Sequence, residues 1–262
     1  MLRHLPRTAA LLTAAGVALL SPGTASAGAA DTAGPTIRTE AAPRFAVGTD
    51  VSYDYLRGYI WTVELHWAAS DPSGVCKQAV NVQSYDDMGA GRTIQVDPAA
   101  TSFRYNDYTL NYGRVTTTFR VIATDCAGNR ATGAPVQEQF DVTQDTDSGI
   151  TYSGTWRESH FSRYLGRTTH VSTARHAAAE LVVRGGPVGL VMPRSDRAGR
   201  FDVYVDGIRT ATVDNYTPAG TTFRTVVWST LLPGGPDSSH TLRIENRATP
   251  GHGRIDLDAV LQ

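Results

Sequence analysis

The chain has 262 residues, 41% hydrophobic, 8% aromatic and 19% charged, with 25 Gly, 13 Pro and two Cys, a balance that excludes disordered and collagen-like proteins. A formal net charge of −1 without any basic block leaves nothing to attract a polyanion, so nucleic acid and an anionic membrane are excluded as main partners. The only lysine among 24 basic residues is Lys77, a coding bias rather than a chemical signal.

Residues 1–27 read as a signal peptide: Arg3 and Arg7 precede an uncharged apolar stretch from Thr8 to Leu20, and Ala25-Ser26-Ala27 offers small residues at the cleavage positions. The stretch is about 13 residues long, too short for a bilayer core that needs roughly 20. A soluble protein, secreted to the extracellular space and without a membrane partner, is expected. Residues 28–43, rich in Ala, Gly, Thr and Pro, read as a flexible spacer.

In residues 44–143 the first clear strand places Trp61, Val63, Leu65 and Trp67 on one face and Thr62, Glu64 and His66 on the other. Further strands are expected over Ala79–Gln83, Arg92–Val96 and Thr117–Thr124, separated by Gly, Pro and Asp turns. Export favours a disulfide between Cys76 and Cys126, both beside turn sequences. The crosslink would contribute at most roughly 4 kcal/mol by the chain-entropy model. The runs Leu65-His66-Trp67-Ala68-Ala69-Ser70-Asp71-Pro72-Ser73-Gly74 and Val121-Ile122-Ala123-Thr124-Asp125-Cys126-Ala127-Gly128-Asn129 resemble those of bacterial immunoglobulin-like or fibronectin type III-like modules. The resemblance implies a β-sandwich used for spacing or adhesion.

Residues 144–149, Gln144-Asp145-Thr146-Asp147-Ser148-Gly149, read as a solvated linker. Their Asp-x-Asp-x-Gly order echoes the start of a calcium loop, but the twelfth position from Asp145 is Trp156, not a carboxylate. Residues 150–262 hold at least seven expected strands, with Asp206-Gly207 as a hairpin turn. Tyr152 to Trp156, Phe201 to Gly207, Thr212-Val213-Asp214, Val226-Val227-Trp228, His240 to Ile244 and Ile255 to Ala259 resemble the galactose-binding-like jelly rolls, carbohydrate-binding modules of secreted actinobacterial proteins. The fold class is therefore all-β: two β-sandwich domains, Ig-like then jelly roll.

No catalytic residue is named, because no Gly-x-Ser-x-Gly elbow, His-Glu-x-x-His helix or lysine-bearing phosphate loop occurs. His160, His170 and His176 share one segment, but Leu165-Gly166 breaks the register that would align them on a metal. Asp256 and Asp258 alternate on the last expected strand and repel unless a cation or arginine lies between them. In the jelly-roll modules a carboxylate on the final strand often helps hold a structural calcium, and Asp258 matches that place. Pairing with Arg254 or exposure to water is the alternative.

Sugar binding needs an aromatic face beside hydrogen-bond formers. Tyr216 is the leading candidate, in the turn-rich Asp214-Asn215-Tyr216-Thr217-Pro218 with Asn215 beside it, followed by Tyr164 and Trp156. The expected function is that of a secreted noncatalytic protein whose Ig-like spacer presents the jelly roll to glycan or cell-wall polysaccharide. The alternatives left open are a secreted hydrolase with a dispersed carboxylate site and a protein-binding adhesion or inhibitor module.

Overall fold

The strict alternation from Trp61 to Trp67 buries one face of a strand and leaves the other wet, and that strand organises the first half of the chain. A computed structural model describes residues 30–55, 58–84, 91–108 and 115–262; the expected signal peptide lies outside them. No helix among the described residues is long and apolar enough to cross a membrane.

The first half comprises β1 (Thr36–Thr39), β2 (Arg44–Phe45), β3 (Ser52–Asp54), β4 (Gly58–Ser70), β5 (Val75–Gln83) and β6 (Arg92–Val96). It continues with β7 (Ser102–Tyr108), β8 (Thr117–Asp125), β9 (Arg130–Thr132), β10 (Val136–Glu138) and β11 (Val142–Gln144). One sheet centres on β4, with β7 along one edge and β1, β2 and β3 sharing the other. The second runs β10-β8-β5-β6, with β9 also on β8. Trp61, Val63, Leu65 and Trp67 meet Val80, Val82, Phe119 and Val121 between the sheets. Trp67 Nε1 donates to Gln78 Oε1 at 2.6 Å, so the indole is satisfied inside that core.

Cys76 and Cys126 are bonded, with Cα atoms 4.9 Å apart. The bridge joins the outer ends of β5 and β8, neighbours in a single sheet, and Cys126 N donates to Gly74 O across the same end.

The second half contains β12 (Thr151–Ser153), β13 (Arg157–His160), β14 (Thr168–Ser172), β15 (Ala178–Arg184), β16 (Gly186–Arg194) and β17 (Arg200–Val205). After these come β18 (Ile208–Asp214), β19 (Thr222–Leu232), β20 (Ser239–Asn246), β21 (Ile255–Leu257) and β22 (Ala259–Leu261). The sheets are β12-β15-β20-β17-β18, β11-β22-β16-β19 and a short β13-β14-β21. Asp206 and Gly207 both take positive φ, 51° and 77°, which matches the two-residue turn joining β17 to β18. The architecture is an all-β sandwich fold.

Two stretches differ from the sequence reading. The spacer of 28–43 contains β1, which pairs with the far end of β4 from Thr36↔Ser70 to Thr39↔Trp67. Ile37 packs against the core, an anchor too short to register as periodicity. The linker of 144–149 is a tight turn, with Asp147 N donating to Gln144 O and Ile150 N to Asp147 O. Asp145 is fully buried within it, because Thr168 Oγ1 donates to Oδ1 at 2.7 Å and His170 Nδ1 lies 2.8 Å from Oδ2. Asp147 is instead exposed and accepts from Gly149 N, so the two carboxylates do not converge as a calcium loop requires.

The halves also share a core. Phe45 of β2 clusters with Val191, Val226, Ala259 and Leu261. The loop after β2 pairs with β19 through Gly48 N to Val226 O, Val226 N to Thr49 O and Val51 N to Arg224 O. Thr225 Oγ1 donates to Asp50 Oδ1 at 3.0 Å in the same seam.

Candidate functional site

At one end of the second half, four segments surround a pocket of about 400 Å³. The turn after β13 supplies Phe161 and Tyr164, the loop after β16 supplies Ser195, Asp196 and Arg197, the start of β19 supplies Phe223, and Arg254 and Asp256 rise from β21 and its approach. Arg224 holds the first segment in place: its guanidinium donates to the carbonyls of Arg163, Ser162 and Tyr164. Gly166, at φ 66°, lets the chain turn back into β14.

The aromatic side of the pocket is a three-ring cluster. Phe161 lies 6.0 Å from Tyr164 and 5.5 Å from Phe223, and Tyr164 lies 5.6 Å from Phe223, centroid to centroid. Tyr164 is buried, and the Arg163 guanidinium covers one face of Phe223 at 4.4 Å. Phe161, 47% exposed, offers the open apolar face.

The polar side balances charge. Arg254 Nε donates to Asp256 Oδ2 at 2.7 Å and its NH2 group bonds Oδ1, a bidentate pair at the pocket wall. The Asp256 carboxylate holds the Arg254 guanidinium charged beyond arginine's usual range. Arg254 NH2 also approaches the Tyr164 hydroxyl at 3.4 Å, tying the polar side to the aromatic one. Asp196 and Arg197 are exposed and make no ion pair among the described residues. Two guanidiniums and two carboxylates thus face one cavity with no net charge.

Of the residues singled out from sequence, Tyr164 and Asp256 meet here. Tyr216 does not line the pocket but borders it: its strand segment bridges to Ser195, and its ring, 38% exposed, packs on His252 at 4.4 Å. Asn215, expected beside it as a hydrogen-bond former, is turned inward at 1% exposure with Nδ2 donating to Pro193 O. That inward bond anchors the loop and removes the amide from any surface ligand. Trp156 lies elsewhere, 5.1 Å from Tyr152, with Nε1 donating to Ser153 O.

Asp256 and Asp258 turn to different partners. Asp256 is matched by Arg254, the alternative weighed in the sequence, while both oxygens of Asp258 accept from Leu165 N at 2.9 and 3.1 Å. The chain leaves β21 at Asp258 and enters another sheet as β22, which breaks the strand alternation that had placed them on one face. Burial pushes Asp258 up to about 8. The three histidines are likewise apart, on Glu158, Asp145 and Glu245 respectively.

A nucleophile-like trio escaped the sequence reading. His240 Nδ1 lies 2.7 Å from Asp206 Oδ2, and Nε2 lies 3.4 Å from Ser238 Oγ. Nε2 is nearer to Pro233 O, at 3.0 Å, so both ring nitrogens face acceptors. The bond to Asp206, then that to Pro233 O, raises His240 above the ordinary histidine range. With both ring nitrogens turned to acceptors, Nε2 has no lone pair aimed at the serine proton. Ser238 Oγ is itself turned to the Pro233 and Gly235 carbonyls, at 2.9 and 2.8 Å, so the trio fastens a loop.

Phe161, Phe223, Arg197 and Arg254 were missed as a group because no spacing links them. The only local signal was aromatic residues inside turn-rich sequence, His160-Phe161-Ser162 and Gly220-Thr221-Thr222-Phe223.

The fold and site define a β-sandwich protein with a charge-balanced, aromatic-flanked pocket formed by end loops. No family model matches the chain. A stretch of 78 residues, 29% of the chain, is 41% identical to 7% of the A type blood alpha-D-galactosamine galactosaminidase of Flavonifractor plautii. The chain therefore spans a small fraction of that curated relative's length. Among solved structures, a GH87 alpha-1,3-glucanase catalytic domain in complex with nigerose is 14% identical, with TM-score 0.33, over 47% of this chain and 28% of that one. The exo-beta-1,3-galactanase of Phanerochaete chrysosporium is 12% identical, with TM-score 0.34, over 84% and 56%. Similarity that low carries no argument about this chain.

Proposed function

We propose that the protein is an exported, noncatalytic glycan-binding protein that takes a neutral sugar in the end pocket of its second half. The observation that carries this reading is the placement of an open Phe161 face beside the Arg254–Asp256 pair. A pyranose presents C–H groups to an aromatic face and hydroxyls to fixed charged partners, and a pocket without net charge favours neither a cationic nor an anionic ligand.

Binding is favoured over hydrolysis by the state of Asp256. Both of its oxygens are committed to Arg254, so it is not free to act as acid, base or nucleophile. A short match within a much longer galactosaminidase fits a segment reused as a module, and supports a glycan ligand. The disulfide accords with export. The Ig-like and jelly-roll kinships implied by the sequence motifs belong to the same proposal, with cell-wall polysaccharide among the ligands to try.

The deciding experiment is a glycan array read with the full chain, alongside turnover assays on the glycans bound. Binding that Phe161→Ala weakens, without release of reducing sugar, supports the reading. Turnover would favour the hydrolase, and capture of secreted proteins with no glycan signal would favour the adhesion module.

A further inference from the structure

We propose that Asp107 and Glu138, in the first half of the chain, form a binding site for a hard divalent cation. Glu138 ends β10 opposite Thr117, and it is 5% exposed with no N–H or hydroxyl donor on either carboxylate oxygen. Asp107, 2% exposed on β7, accepts from Thr117 Oγ1 at 2.9 Å and turns its carboxyl toward Glu138. Burial, then a hydrogen bond between the two carboxyl groups and the charge of Asp107, pushes Glu138 well above the usual carboxylate range.

A buried carboxyl group without a donor is costly unless a proton or a cation occupies the space between the pair. Three features favour the cation. Two carboxylates neutralise one divalent charge and supply oxygen ligands of the type Ca²⁺ selects. Glu138 lines a cavity of about 640 Å³, so water stands beside the residue; its two carboxylate oxygens are themselves covered, and binding has to draw that water inward to complete a shell of about six to eight oxygens. Trp61, the cross-strand partner of Asp107, carries an indole N–H that is buried and has no acceptor. Cross-strand partners share a face, so a water in the cation's shell can accept from it. The pair is separate from Asp256 and Asp258, and from the sugar pocket.

The test uses the full chain after EDTA treatment. Ca²⁺ at a hundredfold excess over its Kd should raise Tm by about 5 °C or more. Tb³⁺ should luminesce on excitation of tryptophan, through Trp61, and Ca²⁺ should quench that signal. Glu138→Gln gives Asp107 an amide donor in place of the cation and should fold while losing both responses; Asp107→Asn does the same from the other side if the first variant fails to fold. An unchanged wild-type Tm, or responses that survive both substitutions, would overturn the site and leave the pair sharing a proton.

Discussion

The Arg254 guanidinium, just before β21, and the Asp256 carboxylate, within it, form a bidentate pair with an Nε–Oδ2 distance of 2.7 Å. Asp256 is 2% exposed, so the pair is held away from water on its carboxylate side. Removing one partner strands the other's charge, which typically costs about 3–5 kcal/mol. Asp256→Asn should therefore lower the denaturant midpoint substantially, and Arg254→Met added to it should recover part of the loss. If the single variant is as stable as wild type, the pair does not organise the pocket wall.

Phe161 should matter to ligand and not to fold. Its ring is about half exposed, whereas Tyr164 beneath it is buried. Phe161→Ala should weaken glycan binding by about 1–3 kcal/mol, the usual cost of losing an aromatic anchor, with Tm nearly unchanged. Tyr216→Ala should have the smaller effect, because that ring packs on His252 outside the pocket lining. Isothermal titration with the best glycan from the array measures both, and an equal loss would bring Tyr216 back as a contact.

Phe45 and Gly189 couple the two halves. A Cβ on Gly189 would stand 3.0 Å from Phe45 Cδ2, and Phe45 cannot retreat from Phe140, 4.5 Å away by ring centroids, and Trp61. Gly189→Ala should cost about 1–3 kcal/mol as overpacking. Because Phe45 belongs to the first half and Gly189 to the second, calorimetry should show the melting of both halves shifted. A shift confined to one of two separate transitions would mean that the seam contributes little.

The strands that the sequence displayed most clearly are those with one wet face. In β4, Trp61, Val63, Leu65 and Trp67 point inward between polar neighbours. The bridge was legible too, since two cysteines allow one pairing within the chain. The seam was not, because β16 is buried on both faces and its apolar run carries no direction. Asp145 looked like linker for a related reason: its burial depends on Thr168 and His170, more than twenty residues away. The pocket was the least legible, since Tyr164 and Arg254 meet across 90 residues through loops that no local period encodes.

Asp258 gives the fold a pH dependence. It is fully buried, and its two oxygens share one donor, Leu165 N. Burial, against that single bond and with Asp145 nearby, pushes it up to about 8. The unfolded chain returns it to about 3.9. A raised folded pKa means that the native state holds the proton more tightly than the unfolded state does. The associated stability is fully present below the unfolded pKa, declines as pH rises, and is lost once pH has passed the folded pKa. Tm should thus fall from about pH 4 to about pH 8 and flatten above it. Glu138, raised in the same direction, adds a slope of the same sign in cation-free buffer. Asp258→Asn keeps an oxygen for Leu165 N and removes the titrating proton, so its Tm should vary less over that window while the Glu138 component persists. An unaltered slope in Asp258→Asn would show that Asp258 is already ionised in the native fold at neutral pH, with Arg224, the cation whose charge acts on it, bearing the compensation.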